Sequence, residues 1–188
     1  MGKTLIYKIK FHTDWHCGSG LAAGADVDAL VVKDVHGLPF VPGKTMKGLL
    51  REAVDVLYGK KDEAYQRLFG SLPVKGGEVL AEETMAESFF SNAVLDEDTQ
   101  QVILKNDLKE FMFRSLSATA IDDEGIACEG SLRKIQVAVP CVLYAKVTDV
   151  PDEMRNVLVK ALGYIKRLGL CRTRGLGRCT LSEVKQEE

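Results

Sequence analysis

Residues 38–53 read LPFVPGKTMKGLLREA, and this stretch sets the frame for the rest of the chain. A short apolar, strand-like piece ends at Pro42-Gly43, and an amphipathic helix begins at once. Met46, Leu49, Leu50, Ala53, Val54 and Leu57 recur at the spacing of one helical face, which predicts a core-facing helix over about 44–58. Lys44, Lys47 and Arg51 fall on another face, within reach of one another. The first turn of a helix carries backbone N–H groups without intrahelical partners, and anions bind there. Three cations beside such a turn suit a phosphate chain; the same residues also suit a plain solvated helix face.

Working outward, the 188 residues are 46% apolar and 28% charged, an ordinary globular composition with room for one domain and a sizeable core. A net charge of −2 argues against a wholly basic nucleic-acid binder but permits local basic surfaces. No apolar run approaches the roughly 20 residues that span a bilayer. The beginning, MGKTLIYKIKF, alternates and lacks a signal-peptide core, so no membrane attachment is expected. Cysteines 17, 128, 141, 171 and 179 form no CxxC pair, and their odd number fits a reducing cytoplasm better than a disulfide framework. His12, His16 and Cys17 lie close in sequence, but no second ligand pair completes a zinc site.

Leu5, Tyr7, Ile9 and Phe11 alternate with Lys8, Lys10 and His12, predicting a half-buried strand over about 3–13. Residues 16–26, HCGSGLAAGAD, read as a flexible loop, and 28–34 as a short strand. A helical piece over 62–69 ends at Gly70, and 71–80 reads as a loop. Residues 88–95, SFFSNAVL, are apolar enough for a central strand. A mixed polar stretch with a short helix covers 96–113, and 115–130 reads as an extended insertion. A long strand is predicted over 135–148, with Pro140 marking a bulge or edge. Pro151 and the acids after it open a helix to about Leu168, and a last strand covers about 177–185. Without the inserted pieces the order is β-α-β-β-α-β, an α+β ferredoxin-like, RRM-like arrangement. Residues 1–188 are taken as a single domain with insertions around 14–37 and 96–134.

A second basic constellation is KRLGLCRTRGLGR, 166–178, with Lys166, Arg167, Arg172, Arg174 and Arg178 and no acid between. Its glycines allow close backbone approach, and its guanidinium groups can fork onto a phosphodiester. A helix stop followed by a tight turn would use the same glycines. The segment is neither a GxxxxGK[ST] phosphate loop nor a strand-first GxGxxG, which disfavours nucleotide binding.

The Pro42-Gly43…Lys47-Gly48…Arg51 helix start resembles the signature of the RAMP superfamily, the repeat-associated proteins of CRISPR systems. LGLCRTRGLGRCTLS is similar to that superfamily's glycine-rich loop. WHCGSGLAAGADVDALVVKD with GLPFVPG, FFSNAVL, and TAIDDEG…GSLRKIQV resemble segments of type III backbone subunits, in the same order. The resemblance implies copies of one subunit stacked along a guide CRISPR RNA, among the other subunits of a type III effector, with a thumb-like insertion interrupting the guide–target duplex. It further implies cutting of the complementary target RNA, once per active subunit, by internal attack of a 2′-hydroxyl. The implied catalytic carboxylate falls on Asp28, and the family's loop histidine on His16. Asp26 shares Asp28's parity and is a second candidate. An Asp of ordinary pKa is a poor general base at neutral pH but a good ligand for Mg²⁺ or another divalent cation. Guide RNA contacts are expected from His16, Lys44, Lys47, Arg51, Arg172, Arg174 and Arg178, with Lys44, Lys47, Arg51, Arg172 and Arg174 lining one continuous groove. Asp28 as a solvated strand-edge acid, and His16 as a loop-base hydrogen-bonding residue, are the plain structural readings. An inactive guide-RNA scaffold and a stand-alone guide-processing endoribonuclease are the alternative functions.

Overall fold

The computed structural model describes residues 3–21, 27–71 and 85–185. Strand β1 (Lys3–Phe11) alternates as its sequence requires: Leu5, Tyr7, Ile9 and Phe11 are buried, while Lys8 and Lys10 are exposed. It is followed by α1 (Gly43–Tyr58), α2 (Glu63–Phe69), β2 (Phe89–Phe90) and α3 (Glu97–Lys105). A 3₁₀ turn (Lys109–Met112) then leads to β3 (Phe113–Ala118), β4 (Arg133–Ala138), β5 (Val142–Val150), α4 (Asp152–Tyr164) and β6 (Cys179–Glu183).

The main sheet has the order β2-β5-β1-β6, all antiparallel. With α1 and α4 as its helices, the core β1-α1-β2-β5-α4-β6 is the ferredoxin-like arrangement. Met46, Leu50, Ala53 and Val54 of α1 meet Met154, Leu158, Ala161 and Leu162 of α4 over the buried face of the sheet. Trp15 closes one end of this core, stacked on Phe11 with centroids 4.4 Å apart. Among the described residues no helix is long and apolar enough to cross a membrane.

Three expectations are corrected by non-local contacts. The strand expected over 135–148 is two strands. Pro140 cannot donate a ladder hydrogen bond, and there β4 leaves the main sheet to pair with β3 as a two-stranded ribbon. The 88–95 stretch is an edge, not a central strand. Only Phe89 and Phe90 form β2, and beyond them Ala93 bridges Val41 while Val94 bridges Tyr144. The 28–34 strand is a series of single bridges, Gly18 to Val31, Ala29 to Ile135 and Lys33 to Pro39. Leu57, expected in the core, is 45% exposed in the last turn of α1. Helix α4 stops at Tyr164, where the Lys166 ammonium donates to the Gly163 carbonyl at 2.5 Å, and Arg167 then bridges Arg178. Of the loop expected over 71–80, all but Ser71 lies outside the described residues.

Candidate nucleic-acid interface

The start of α1 is built by close packing. A Cβ on Gly43 would lie 2.1 Å from the Phe90 carbonyl oxygen, so only glycine lets the helix sit on β2. The Gly43 N–H donates to the Asn92 side-chain oxygen at 2.8 Å, so one of the helix-start donors is already used. Lys44 is exposed. Lys47 is half-buried, its ammonium 6.0 Å from the centre of the Phe90 ring; burial, then the Arg51 charge, lowers its pKa. Arg51 donates to the Phe69 carbonyl at 2.5 Å and lies over the Phe69 ring at 5.6 Å. Its guanidinium therefore binds the end of α2 to α1, and it is less available to a ligand than the sequence implies.

The glycine-rich loop has an anchored base and a free tip. At the base, Gly169 (φ +89) brings its Cα so close to His16 that a Cβ would lie 2.1 Å from the His16 carbonyl oxygen. Gly177 (φ +70) would bring a Cβ to 1.8 Å from the Leu168 carbonyl oxygen. The Leu170 N–H donates to the His16 carbonyl, and the Gly177 N–H to that of Asp14, at 2.9 and 2.7 Å. Arg178 is tied by backbone to His12 and Thr13, but its side chain is exposed. At the tip, Arg172 and Arg174 are exposed, and the Arg174 guanidinium reaches the Cys171 sulfur at 3.2 Å.

A groove of about 610 Å³ runs between the tip and α1, lined by Leu49, Glu52, Val56, Tyr164, Arg167 and Arg172 among others. Residues 49, 52 and 56 lie on one flank of α1, and 47 and 51 on the other, by the helical turn of 100° per residue. The single groove expected through Lys47, Arg51 and Arg172 is therefore split by the helix. Arg172 has the Leu49 flank; Lys47 and Arg51 face Phe90 and Phe69.

His16 is fully buried. One ring nitrogen, Nδ1, lies 2.6 Å from the Gln136 carbonyl oxygen, while Nε2 has no protein partner. With its own carbonyl holding Leu170, His16 joins the β4 ribbon to the glycine-rich loop and presents no surface to a ligand in this conformation. Asp28 is exposed. Its Oδ2 accepts from the Lys134 N–H at 2.7 Å, and its own N–H donates to the Lys134 carbonyl at 2.8 Å. Among the described residues the other carboxylate oxygen meets no hydrogen-bond donor, so one oxygen is held and one is free. Asp26 lies outside the described residues. Among the described residues no three His, Cys, Asp or Glu side chains are grouped to hold a metal, and His12 instead pairs with the Thr180 hydroxyl at 2.8 Å.

Sequence reasoning missed Gln136 and the Asp14–Arg114 pair. Gln136 holds His16 with its carbonyl, Ala29 with its N–H and Val31 with its side chain. The Asp14 carboxylate meets the Arg114 guanidinium at 2.5 Å and joins the base of the ribbon to the loop carrying His16. No local pattern marks either, because each partner comes from across the fold.

A search of curated proteins returns no match. Among solved structures, the fold is similar to a chain of type III-B Cmr-beta bound to cognate target RNA, with a TM-score of 0.72 and 10% identity over 97% of both chains. A chain of the apo state of type III-B Cmr-beta gives a TM-score of 0.69 and 14% identity, over 97% of this chain and 98% of that one. Identities this low speak to fold alone. The family described as the RAMP superfamily matches residues 8–180, a span that takes in the α1 start, Asp28 and the glycine-rich loop. By that match the chain belongs to the RAMP superfamily.

Proposed function

We propose that this chain is a guide-RNA-binding backbone subunit of a cytoplasmic type III CRISPR effector, and that Asp28 supports cleavage of the complementary target RNA. The observation that carries the reading is the end-to-end likeness to type III-B chains, 97% of each, within a superfamily match over residues 8–180. Lys44, Arg172, Arg174 and Arg178 are the exposed cations that would neutralise guide phosphates. Lys47 and Arg51 would act mainly by holding the α1 start in place, and His16 by holding the loop. The partners are the guide and target RNAs, further copies of the chain and other effector subunits.

Asp28 fits a Mg²⁺ or similar hard cation of the kind held by one carboxylate, water and substrate phosphate oxygens rather than by an all-protein cage. Such a cation, when bound, supplies Lewis-acid stabilisation of the phosphate. The chain's own contribution is the exposed carboxylate and the Lys134 N–H that orients it. A second reading, an inactive scaffold, is favoured by the setting of Asp28: half of its carboxylate is already engaged, and among the described residues it belongs to no group of three His, Cys, Asp or Glu side chains that could hold a metal. Asp28→Asn separates the two, since the amide oxygen still accepts from Lys134 while the charge is lost. In the assembled complex, target cleavage is expected to fall about a hundredfold or more, with assembly and guide content unchanged. Cleavage at the wild-type rate would reject the nuclease role and leave the scaffold.

A further inference from the structure

Among the described residues no helix packs on the face of the main sheet turned away from α1 and α4, and its charged side chains are of one kind. Residues paired across antiparallel strands share a face. Lys8 stands opposite Tyr144 and Ser182, Lys10 opposite Val142 and Thr180, and Lys146 opposite Ile6. Phe89 stands opposite Thr148 at the edge. Lys8, Lys10 and Lys146 are exposed, Phe89 is 63% exposed, and Tyr144 is half-buried. None of these lysines has a carboxylate partner, since the described ion pairs lie elsewhere.

Among the described residues no acid stands on this face. Glu183 stands opposite Tyr7, on the helix side, and is spent on Arg155 of α4. Asp149 lies at the strand's irregular end (φ +54) and lines a separate pocket with Arg67 and Glu153. A chain with net charge −2 thus gathers three lysines without ion pairs, one exposed aromatic ring and one half-buried ring on one sheet face. Along β5, the Phe89 and Tyr144 positions are about 13 Å apart, four strand residues. Lysines that neutralise phosphates beside rings that stack on bases are what a single-stranded nucleic acid needs. A protein partner would have to present a strongly acidic surface here and would gain nothing from the rings' spacing.

We propose that this open sheet face is a second nucleic-acid site, taking single-stranded RNA with phosphates on Lys8, Lys10 and Lys146 and bases stacked on Tyr144 and Phe89. It uses no residue of α1, Asp28 or the glycine-rich loop, so it stands or falls separately from the guide-binding reading.

The test uses the full chain and a fluorescein-labelled 12-mer of oligouridine, titrated over a range of salt, in wild type and in an Arg172→Ala/Arg174→Ala background. Lys8→Ala/Lys10→Ala/Lys146→Ala is expected to weaken binding about tenfold or more in both backgrounds and to reduce the salt slope by about 2. Tyr144→Ala is expected to weaken it about fivefold or more with the slope unchanged, and Tyr144→Phe to restore it. Photocrosslinking to 5-iodouridine RNA should map to Tyr144 or Phe89. Unchanged affinity in the lysine variant would overturn the proposal. So would crosslinks only at other residues, equal and Tyr144-independent binding of duplex RNA, or a lysine variant that binds RNA normally but loses association with other effector subunits.

Discussion

The two basic clusters read alike along the chain, each a run of cations beside glycines, yet the fold uses them in opposite ways. At the α1 start the side chains turn inward: Arg51 closes α2 onto α1 through the Phe69 carbonyl, and Lys47 lies over Phe90. In the glycine-rich loop the backbone turns inward instead, packed on His16 and Leu168, and Arg172 and Arg174 are left in solvent. A cation is left free for a ligand where backbone, not side chain, anchors the segment. The glycines in both places serve that anchoring, and charge counts alone do not separate a structural arginine from a binding one.

The anchored base of the loop can be loosened by alkali. Burial pushes the Cys179 thiol up to about 12 and the Cys141 thiol up to about 11, from an ordinary 9.0. Below pH 9 both folded and unfolded chains keep these protons, so stability is level. Above it the unfolded chain releases them first, and stability falls as pH rises toward the folded values. Each thiol contributes a loss of about 1.4 kcal/mol per pH unit, or about 5 kcal/mol together by pH 11. Urea melts between pH 8 and 11 should show Cys179→Ala falling less steeply than wild type; equal slopes would remove this thiol from the anchor.

Gly177→Ala should destabilise by about 3 kcal/mol or more, because the added Cβ meets a backbone carbonyl at a left-handed φ. Gly175→Ala has the same kind of φ but open space around it, and should cost about 1 kcal/mol. If calorimetry shows the two equal, the distinction between base and tip is lost.

Arg51→Ala should cost about 2 kcal/mol of stability through the lost bond to Phe69, whereas Arg172→Ala should change stability by less than about 0.5 kcal/mol. RNA affinity should order the other way, with Arg172→Ala the weaker binder. An Arg51→Ala chain that is fully stable but binds RNA poorly would reverse the comparison. A small effect of the opposite sign is expected at Gly48, exposed in the second turn of α1 with nothing within 4 Å. Alanine there should stabilise by about 0.5–1 kcal/mol and leave binding alone.

Burial that follows a local period was readable in the sequence. Leu5, Tyr7, Ile9 and Phe11 alternate into the core, and Met46, Leu50, Ala53 and Val54 take one helical face, so the order of the core elements follows from the chain itself. Pro140 announced an interruption, but not that β4 would turn away to β3, because that depends on Phe113 meeting Ala138. The site was legible in its residue types and less so in their duties. His16 is buried by Gln136 and Gly169, Arg51 is engaged by Phe69, and Asp28 is held by Lys134, all partners distant in sequence. The open sheet face escaped notice because Lys8, Lys146, Tyr144 and Phe89 become neighbours only through strand pairing.

Guide binding is tested most directly by isolating the chain from cells that express the complete effector and sequencing the RNA that comes with it. The expected result is a discrete class of small guide RNA at stoichiometric amount, largely lost from Arg172→Ala/Arg174→Ala and retained by Asp28→Asn. No RNA, or an unselected mixture that the arginine substitutions do not change, would contradict it.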